Sequence, residues 1–310
     1  MDRITALLDG PRARGAFVLR SLLVPPWSIR ICDEAPLALV AVTRGEAWII
    51  HGDSSTRLAA GSIAIVRGPQ HYTVADTPTT PPDIVIHPGQ RCETINGQSL
   101  AMSMRLGVRT WGNALDAPTA FITGIYESRT TLGTDLLETL PRVVVVHHES
   151  RHPIAALLAD EIIRESPGQQ AVLDRLLDIL VIDTIRTWYQ EQADSSAWWD
   201  AHHDPLVGAA LGLMHDSPEE SWTISTLART IGTSRANLAR RFNDLVGEPP
   251  ITYLTNWRLS LAADLLCQPM STVAATARSV GYGSPFAFST AFKRRYGISP
   301  HQHRARASTR

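Results

Sequence analysis

The sequence predicts an α+β multidomain chain with an N-terminal β-rich domain, a helical hairpin and a C-terminal all-α domain. Three observations predict this order. Short apolar runs bounded by turn residues fill 37–87, helical periodicity begins at about residue 152, and a run of about twenty residues occurs twice between 228 and 297. The 310 residues, 44% hydrophobic and 19% charged, are enough for two domains with sizeable cores.

The N-terminal β pattern consists of four short runs separated by Gly, Pro, Asp or Ser. The runs are LALVAVTRG, EAWIIHGD, GSIAIVRGP and HYTVAD, and FITGIYESR at 121–129 adds a further strand. Regular spacing of such strands is typical of a small antiparallel barrel or sandwich. We assign this domain to residues 1–150.

Two amphipathic helical patterns follow the β-rich domain and are separated by Pro167-Gly168. Two such helices joined by a tight turn form an αα-hairpin. The hairpin and a polar linker at 193–203 fill residues 151–203. The apolar face of the second helix contains four leucines, namely Leu173, Leu176, Leu177 and Leu180.

The repeated run has the chemistry of a helix–turn–helix unit in both copies. Gly232 and Gly281 suit the end of the first helix, because a left-handed C-terminal position favours glycine. Ser234 and Ser284 suit the N-cap of the second helix. The positions predicted to be buried in the second helices are Leu238, Phe242 and Leu245 in one copy and Phe288 and Phe292 in the other.

The C-terminal third is basic although the whole chain has a net charge of −1. Residues 205–310 contain 12 basic and six acidic side chains, a net charge of +6, whereas residues 1–204 carry −7. A basic module on an acidic body suggests a polyanion as partner. The alternative is a plain helical bundle with a solvated basic face. Two copies with matched turns and caps favour double-stranded DNA.

The second helix of each unit is the predicted DNA-reading element, since such a helix can lie in the major groove. Arginine reads guanine, asparagine reads adenine, and apolar side chains contact thymine methyl groups. The predicted DNA-binding residues are Ser234, Arg235, Ala236, Asn237, Ala239, Arg240 and Arg241 in the first unit, and Ser284, Pro285, Phe286, Ser289, Thr290, Lys293 and Arg294 in the second. Between the units, 249–267 predicts one long helix, apolar at Leu254, Trp257, Leu261 and Leu265.

The C-terminal residues resemble the AraC/XylS family of bacterial transcription regulators. The matching stretches are WTISTLARTIGTSRANLARRF, WRLSLAADLL and VAATARSVGYGSPFAFSTAFKRRYGISPHQHR. The resemblance implies a double helix-turn-helix domain, here 204–310, that binds asymmetric operator DNA and most often activates transcription. An activator would also have RNA polymerase as a partner.

The N-terminal residues resemble the cupin-type sensor domain of some family members, through LALVAVTRGEAWIIHGD, RLAAGSIAIVRGPQHYTV and LLETLPRVVVV. The resemblance implies a cupin-like barrel that binds a small-molecule effector, and a homodimer formed by the helices after the barrel. Leu173, Leu176, Leu177 and Leu180 are then the predicted dimerisation residues. The same apolar face could instead pack on its own barrel.

The candidate ligand-binding residues of the barrel are Trp48, His51, His71 and Tyr72, because pockets combine aromatic walls with a few polar groups. Enzymic cupins carry a His-x-His pair and a later Glu, whereas the first motif here contains a single histidine, His51. Two imidazoles are too few for a catalytic metal site. We therefore expect no enzyme activity, no catalytic residues, no metal and no cofactor. The alternative is a metal sensed through His51 and His71.

A redox-responsive regulator is the alternative function. Cys92 follows Arg91, a cation that favours the thiolate, and Cys32 is a second candidate. The three cysteines form no disulfide or metal-binding pattern, so we expect a cytoplasmic protein associated with the nucleoid through its DNA. The sequence shows no signal-peptide core and no apolar run of the ~18 residues that a membrane span needs.

Overall fold

The computed structural model describes residues 16–126, 140–148, 152–191, 201, 204–268 and 270–308. These residues form two compact units. The described residues up to Trp188 form the barrel unit, and those from Tyr189 onwards form the C-terminal unit. The predicted linker at 193–203 lies outside the described residues except for Ala201.

The barrel unit contains thirteen strands among its described residues. Five of them, β3, β4, β6, β7 and β12, confirm the strands predicted from the sequence. The strands are β1 Phe17–Leu23, β2 Ser28–Ile31, β3 Leu37–Arg44, β4 Glu46–His51, β5 Ser54–Ala59, β6 Ser62–Arg67, β7 Tyr72–Ala75, β8 Ile84–His87, β9 Arg91–Thr94, β10 Arg105–Gly107, β11 Thr110–Gly112, β12 Thr119–Tyr126 and β13 Val143–His147.

The strands form two sheets that enclose one apolar core. The larger sheet has the order β10-β11-β1-β12-β3-β6-β13, and the smaller has the order β5-β4-β7-β2-β8-β9. The central strand β3 is buried along six consecutive residues, which explains its unbroken apolar run. In β4, by contrast, Ala47 and Ile49 face the core, and Trp48 points to the opposite side.

The helical hairpin consists of α1 Pro153–Glu161 and α2 Gln169–Glu191. His152 caps α1, because its Nδ1 accepts a hydrogen bond from the Ala155 backbone N–H, and its Nε2 lies 2.8 Å from Asp183 Oδ2 on α2. This single side chain therefore fixes the start of one helix and joins it to the other.

Helix α2 packs on the barrel through the leucine face that the sequence analysis predicted to form a dimer contact. Leu173, Leu177 and Leu180 are fully buried within the single chain. Leu177 lies against Gly124 of β12. A Cβ atom added to Gly124 would lie 2.3 Å from Leu177 Cδ1, so the leucine occupies the space that a side chain would need. The assignment of these three leucines to a dimer contact was therefore wrong, and Leu176 alone of the four remains partly exposed.

The C-terminal unit contains seven helices among its described residues. Two pairs, α4–α5 and α7–α8, correspond to the predicted helix–turn–helix units, and α6 is the predicted connecting helix. The helices are α3 Pro205–Asp216, α4 Ile224–Ile231, α5 Arg235–Val246, α6 Pro250–Leu266, α7 Val273–Ser279, α8 Pro285–Tyr296 and α9 Pro300–Ser308.

Helix α6 belongs to both apolar cores of this unit. Tyr253 and Leu254 pack in the first core, with Leu238 and Phe242 of α5. Ala263 and Leu266 pack in the second core, with Phe288 and Phe292 of α8. Of the four apolar positions predicted on α6, Leu254 and Trp257 are buried and Leu261 and Leu265 only partly so. The buried face shifts along α6 because the helix has a different partner at each end.

Leu177→Ala is expected to lower the free energy of unfolding by about 2–5 kcal/mol, because it leaves a cavity between α2 and β12. Arg175→Ala, at an exposed position of the same helix, is expected to change it by no more than about 0.5 kcal/mol. Urea unfolding of both variants measures the two values. Equal effects would contradict the packing of α2 on the barrel.

Candidate DNA-binding surface and effector cavity

The first helix–turn–helix unit is set by capping side chains and one left-handed glycine. Thr223 and Thr226 form a capping box at the start of α4, and Gly232 ends that helix with φ of 81°. The Ser234 hydroxyl accepts a hydrogen bond from the Asn237 backbone N–H at 3.2 Å and so starts α5. Ala228 is buried, which lets the two helices approach closely.

The second unit repeats this construction. Thr272 caps α7, Gly281 has φ of 79°, and the Ser284 hydroxyl accepts from the Ala287 N–H at 3.2 Å to start α8 at Pro285. Ser234 and Ser284, both predicted to bind DNA, thus have their hydroxyl groups engaged in helix caps. Proline at the first helical position costs no hydrogen bond, since that N–H has no partner within the helix.

The exposed side of α5 is polar and partly pre-organised. Arg235 and Ala236 are exposed. Asn237 donates from Nδ2 to Thr233 Oγ1 at 3.0 Å and accepts from Arg240 Nη2 at 3.3 Å. Arg240 also lies 3.6 Å from Asp244. Asn237 and Arg240 therefore stand side by side as paired hydrogen-bonding groups, with Ala239 partly buried beneath them.

Arg241 has a structural contact that the sequence did not reveal. Its Nε donates to Asp204 Oδ2, and the other oxygen of Asp204 caps α3 by accepting from Leu206 and Val207 N–H. Burial raises the pKa of the Asp204 carboxyl, but these hydrogen bonds outweigh it and hold the pKa below its usual value. The structure thus gives Arg241 the role of fixing α3 against α5.

The exposed side of α8 differs in character from that of α5. Phe286 is 84% exposed at the start of the helix, next to Pro285. Thr290, one turn later, is exposed, and Ser289 is half-buried. Lys293 and Arg294 in the last turn are exposed and have no ion pair with any residue that the structure describes. An apolar first turn is thus followed by a basic last turn.

Two contacts hold the two helix–turn–helix units together around α6. Arg258 donates from Nε to Pro218 O and from Nη2 to Glu220 O, both at 2.6 Å. A Cβ added to Gly281 would lie 2.6 Å from Glu219 O and 2.9 Å from Arg258 Nη2. Gly281 therefore permits the second unit to approach the loop that precedes the first.

The second contact lies at the other side of α6. Arg295 Nη1 donates to Asn256 Oδ1 at 3.1 Å, and Asn256 Nδ2 donates to Glu248 Oε2 at 2.9 Å. This chain of hydrogen bonds joins the end of α8 to the loop after α5. Arg295 thus connects the two helix–turn–helix units, whereas Lys293 and Arg294 beside it face outwards.

The barrel unit encloses a cavity of about 320 Å³ between its two sheets. Its walls are mainly apolar and aromatic, with contributions from Phe17, Ile29, Trp111 and Phe121. Polar side chains also line it, including Asp33, Tyr72, Gln90, Arg105 and Arg109. A volume at the small end of the ~300–1,000 Å³ range and a few polar groups are typical of a small-molecule site.

Of the four predicted ligand-binding residues, Tyr72 alone lines the cavity. Trp48 points away from the core, and His71 is exposed on the barrel surface. His51 is partly buried at the end of β4, where burial and the nearby Arg142 cation lower its pKa. A cation beside His51 disfavours a metal ion there. Among the residues that the structure describes, no three His, Cys, Asp or Glu side chains are grouped as metal ligands.

Cys92 has an environment unlike that of a redox sensor. Cys92 is buried in the cavity wall, and burial, together with the neighbouring Glu93 carboxylate, raises its pKa to about 11. Arg91, the cation expected to favour the thiolate, instead lies 3.2 Å from Glu93. Reactive cysteines are accessible and have a lowered pKa. Cys92 therefore has the opposite of the predicted character, and Cys32 is only partly buried in the chain before the β3 strand.

Sequence reasoning missed Trp111, Arg105 and Arg109, which lie in β10, β11 and the turn between them. This segment has two three-residue strands, too short for a period-2 pattern to stand out. The available signal was the combination of two arginines and a tryptophan within seven residues, in a stretch that is otherwise apolar or small.

The fold and these sites define a DNA-binding protein with a ligand-sized cavity in a separate β-rich unit. A family model described as Cupin matches residues 2–190, and one described as Helix-turn-helix domain matches 227–306. The chain is 30% identical to a putative AraC-like transcription regulator of Streptomyces lividans, over 90% of each chain. It is 31% identical to the HTH-type transcriptional regulator AlkR of Acinetobacter baylyi, over 86% of this chain and 93% of AlkR.

A third relative matches a smaller part. It is the RCS-specific HTH-type transcriptional activator RclR of Escherichia coli, 31% identical over 45% of this chain and 49% of its own length. The chain belongs to the AraC family of transcription regulators, with an N-terminal cupin sensor domain and a C-terminal helix-turn-helix domain that binds DNA. It is a regulator and not an enzyme. None of the helices described has the length and apolar character needed to span a membrane.

Arg258→Met and Gly281→Ala are both expected to weaken binding to the complete operator by about tenfold, because each disturbs the spacing of α5 and α8. When the two parts of the operator are moved apart by one base pair, the wild type is expected to lose affinity, and both variants are expected to lose less. Fluorescence anisotropy measures these affinities, and circular dichroism checks the folding of each variant. Wild-type affinity in both variants would show that the contact around α6 does not position the reading helices.

Proposed function

We propose that this protein is a sequence-specific transcription activator whose two recognition helices, α5 and α8, read adjacent parts of one operator. The observation that carries this proposal is the duplicated unit with its different exposed faces. Arg235, Asn237 and Arg240 supply bidentate hydrogen-bonding groups in α5, whereas Phe286 and Thr290 supply apolar contacts in α8. The operator would accordingly have a guanine- or adenine-reading part and a thymine-rich part.

Phosphate contacts would come from the basic last turn of α8. Lys293 and Arg294 are exposed cations that form no ion pair within the described part of the chain, and phosphate contacts of this kind position a protein on DNA without reading sequence. Ala236, Ala239, Pro285 and Ser289 complete the proposed surface, where small side chains allow close approach to the bases. Arg241, held by Asp204, supports this surface from behind.

The cavity of the barrel unit is the proposed effector site. Its principal polar and aromatic groups are Tyr72, Trp111 and Arg109. Trp48, His51 and His71, which the sequence suggested, do not line the cavity. An effector acts on a regulator only through its different affinity for two states of the protein. Activation would involve RNA polymerase as a partner, and RclR, one of the relatives, carries the name of an activator.

We also propose a homodimer, formed through the outward side of the helical hairpin. Val172 and Ile179, seven residues apart on α2, are each 45% exposed, and Leu157 on α1 is 54% exposed. Leu176 lies between them and is partly exposed. Exposed apolar groups in one stripe favour a contact with a second copy of the same stripe.

The experiment that tests the regulator function is capture of fragmented genomic DNA by the purified protein, followed by sequencing. A few sharp sites with a shared two-part motif are expected. Reporter transcription from these sites, with and without the gene for this protein, then distinguishes an activator from a repressor. Retention of bulk DNA without a motif, by both the full chain and residues 204–310, would overturn sequence-specific recognition.

Arg240→Ala is expected to relax base preference at one position of the operator, with a loss of about 1–3 kcal/mol on the preferred base. Arg294→Ala is expected to weaken binding to all sequences alike and to reduce the salt slope by about one unit. Selection of binding sites from random DNA, with affinities at several salt concentrations, measures both effects.

A control for this comparison is Arg241→Ala. Because Arg241 is engaged by Asp204, this variant is expected to lower thermal stability while base preference is retained. If Arg240→Ala and Arg294→Ala behaved identically, the division between base contacts and phosphate contacts would be wrong.

The double variant Val172→Glu/Ile179→Glu is expected to convert dimer to monomer, because it places like charges across the proposed two-fold contact. Sedimentation equilibrium measures the change. Ser55→Glu, at an exposed position of β5, adds a similar charge away from the hairpin and should leave the dimer intact. An unchanged dimer in the double variant, or a monomeric wild type, would rule out this interface.

A further inference from the structure

We propose that the cavity of the barrel unit binds a small anionic ligand, an apolar body carrying one carboxylate, and that Arg109 holds the carboxylate. This inference rests on the proposed effector site and names the chemical class that the site selects. It follows from three features: a cation in the cavity wall without an acidic partner, unpartnered donors deeper inside, and an apolar remainder.

The cation is the first feature. Arg109 is half-buried, lines the cavity, and donates from Nη2 to Gln170 Oε1 at 2.5 Å and from Nη1 to Val18 O at 3.4 Å. Both partners are neutral, and the residues described include no acid within ion-pair distance of it. Arg105, also on the wall, has no ion pair among them either. Because a charge that is partly removed from water is normally paired, the half-buried Arg109 favours an anion from outside the chain, and Arg105 is an exposed cation on the same wall.

The one acid in the cavity wall, Asp33, does not supply this charge. Its Oδ1 accepts from Ala35 N at 3.1 Å, and its Oδ2 accepts from Gln90 Nε2 at 3.3 Å. Asp33 follows β2 in the smaller sheet, whereas Arg109 precedes β11 in the larger sheet. The cavity is therefore electrostatically asymmetric, and a carboxylate is attracted to the arginine side and repelled from the Asp33 side.

The deeper wall presents donors with no partner among the described residues. Tyr72 is only 7% exposed and lines the cavity, yet its hydroxyl makes no hydrogen bond there. Trp111 is also buried and lines the cavity, and its indole N–H has no hydrogen-bond partner among the described residues. Aromatic and aliphatic groups, including Phe17, Phe121 and Ile125, form the rest of the wall. The aromatic and aliphatic part of the wall suits an apolar body, because a bulky polar ligand would leave its own hydrogen-bonding groups unsatisfied there.

Arg109, the proposed binding group for the carboxylate, is also connected to helix α2. Gln170, the partner of Arg109, donates from Nε2 to Ala16 O at 3.1 Å and to Asp174 Oδ1 at 2.7 Å. Asp174 Oδ1 also accepts from Ala16 N at 3.1 Å. A carboxylate that engages the guanidinium competes with Gln170 for it, because both are acceptors for the same N–H groups. Ligand binding thus changes the contacts at the first turn of α2.

The test is calorimetric titration of the full chain with two matched sets of probes. The first set is 4-phenylbutyrate, 4-phenylbutanamide and 4-phenylbutylamine, and the second is octanoate, octanamide and octylamine. Each set keeps the body constant and changes the charge of the head group. The carboxylate of at least one set is expected to bind at least about tenfold more tightly than its amide, since a charge-assisted pair replaces a neutral hydrogen bond.

Four variants test the role of the cavity arginines. Arg109→Gln is expected to reduce carboxylate affinity at least about tenfold and to leave amide affinity unchanged, whereas Arg109→Lys retains the preference for the carboxylate. Arg30→Gln removes an exposed arginine from the outer side of β2 and should bind like the wild type. Thermal melting without probe identifies any variant that is unfolded, and Arg105→Gln then provides a second removal of charge from the wall.

The outcomes separate this inference from the proposed function. An amide or amine that binds as tightly as its carboxylate, or an Arg109→Gln protein with unchanged carboxylate affinity, would overturn the anionic class and leave the cavity as the effector site. Failure of all six probes would also overturn it. Operator binding, measured on the same preparations without probe, judges the regulator function independently, so its loss would count against that function alone.

Discussion

The DNA-binding unit depends on one constraint, the burial of a single helix in two cores. Helix α6 contributes Tyr253 and Leu254 to the core of the first helix–turn–helix unit and Ala263 and Leu266 to that of the second. Because each core also buries the apolar face of α5 or α8, the two proposed recognition helices are fixed to the same helix. The two helix–turn–helix units therefore have a defined spacing, and neither can rotate without opening a core.

Polar contacts then refine what the two cores establish. Arg258 on one side of α6, and the chain from Arg295 through Asn256 to Glu248 on the other, connect loops that apolar packing leaves free. Arg258 and Arg295 resemble DNA-binding residues in sequence, since they are cationic and belong to a basic module. Their contacts show that some arginines of this domain organise the protein itself. Others remain exposed, as the proposed DNA-binding surface requires.

The barrel unit combines an ordinary apolar core with a cavity that is unbalanced in charge. Most of the space between the two sheets is filled, but the region near β11 is left open and is lined by Trp111, Tyr72 and Arg109. Among the described residues Arg109 has only neutral partners, which is costly for a charge in a cavity wall unless an anion binds to it. The hydrogen bond from Arg109 to Gln170 places this feature at the first turn of α2, the helix whose leucines close the barrel.

The sequence by itself determined the class of the protein and the architecture of its DNA-binding half. Glycines, capping residues and apolar spacing are local signals, and they correctly predicted α4, α5, α7, α8 and the helix between the pairs. Strands with long apolar runs, such as β3 and β6, were predictable for the same reason. The short strands β10 and β11 were not, because three residues carry no period.

Only the tertiary structure decided which partner each side chain meets. The leucine face of α2 suited a dimer or a barrel equally well in sequence, and the absence of a side chain at Gly124 made room for Leu177 and settled the matter. Arg240 and Arg241 are adjacent and chemically identical, yet one faces outwards and the other binds Asp204, 37 residues away. Trp48 and Trp111 differ likewise, because Trp48 in the smaller sheet points away from the core, whereas Trp111 in the larger sheet lines the cavity. These distinctions depend on long-range packing, which local pattern does not encode.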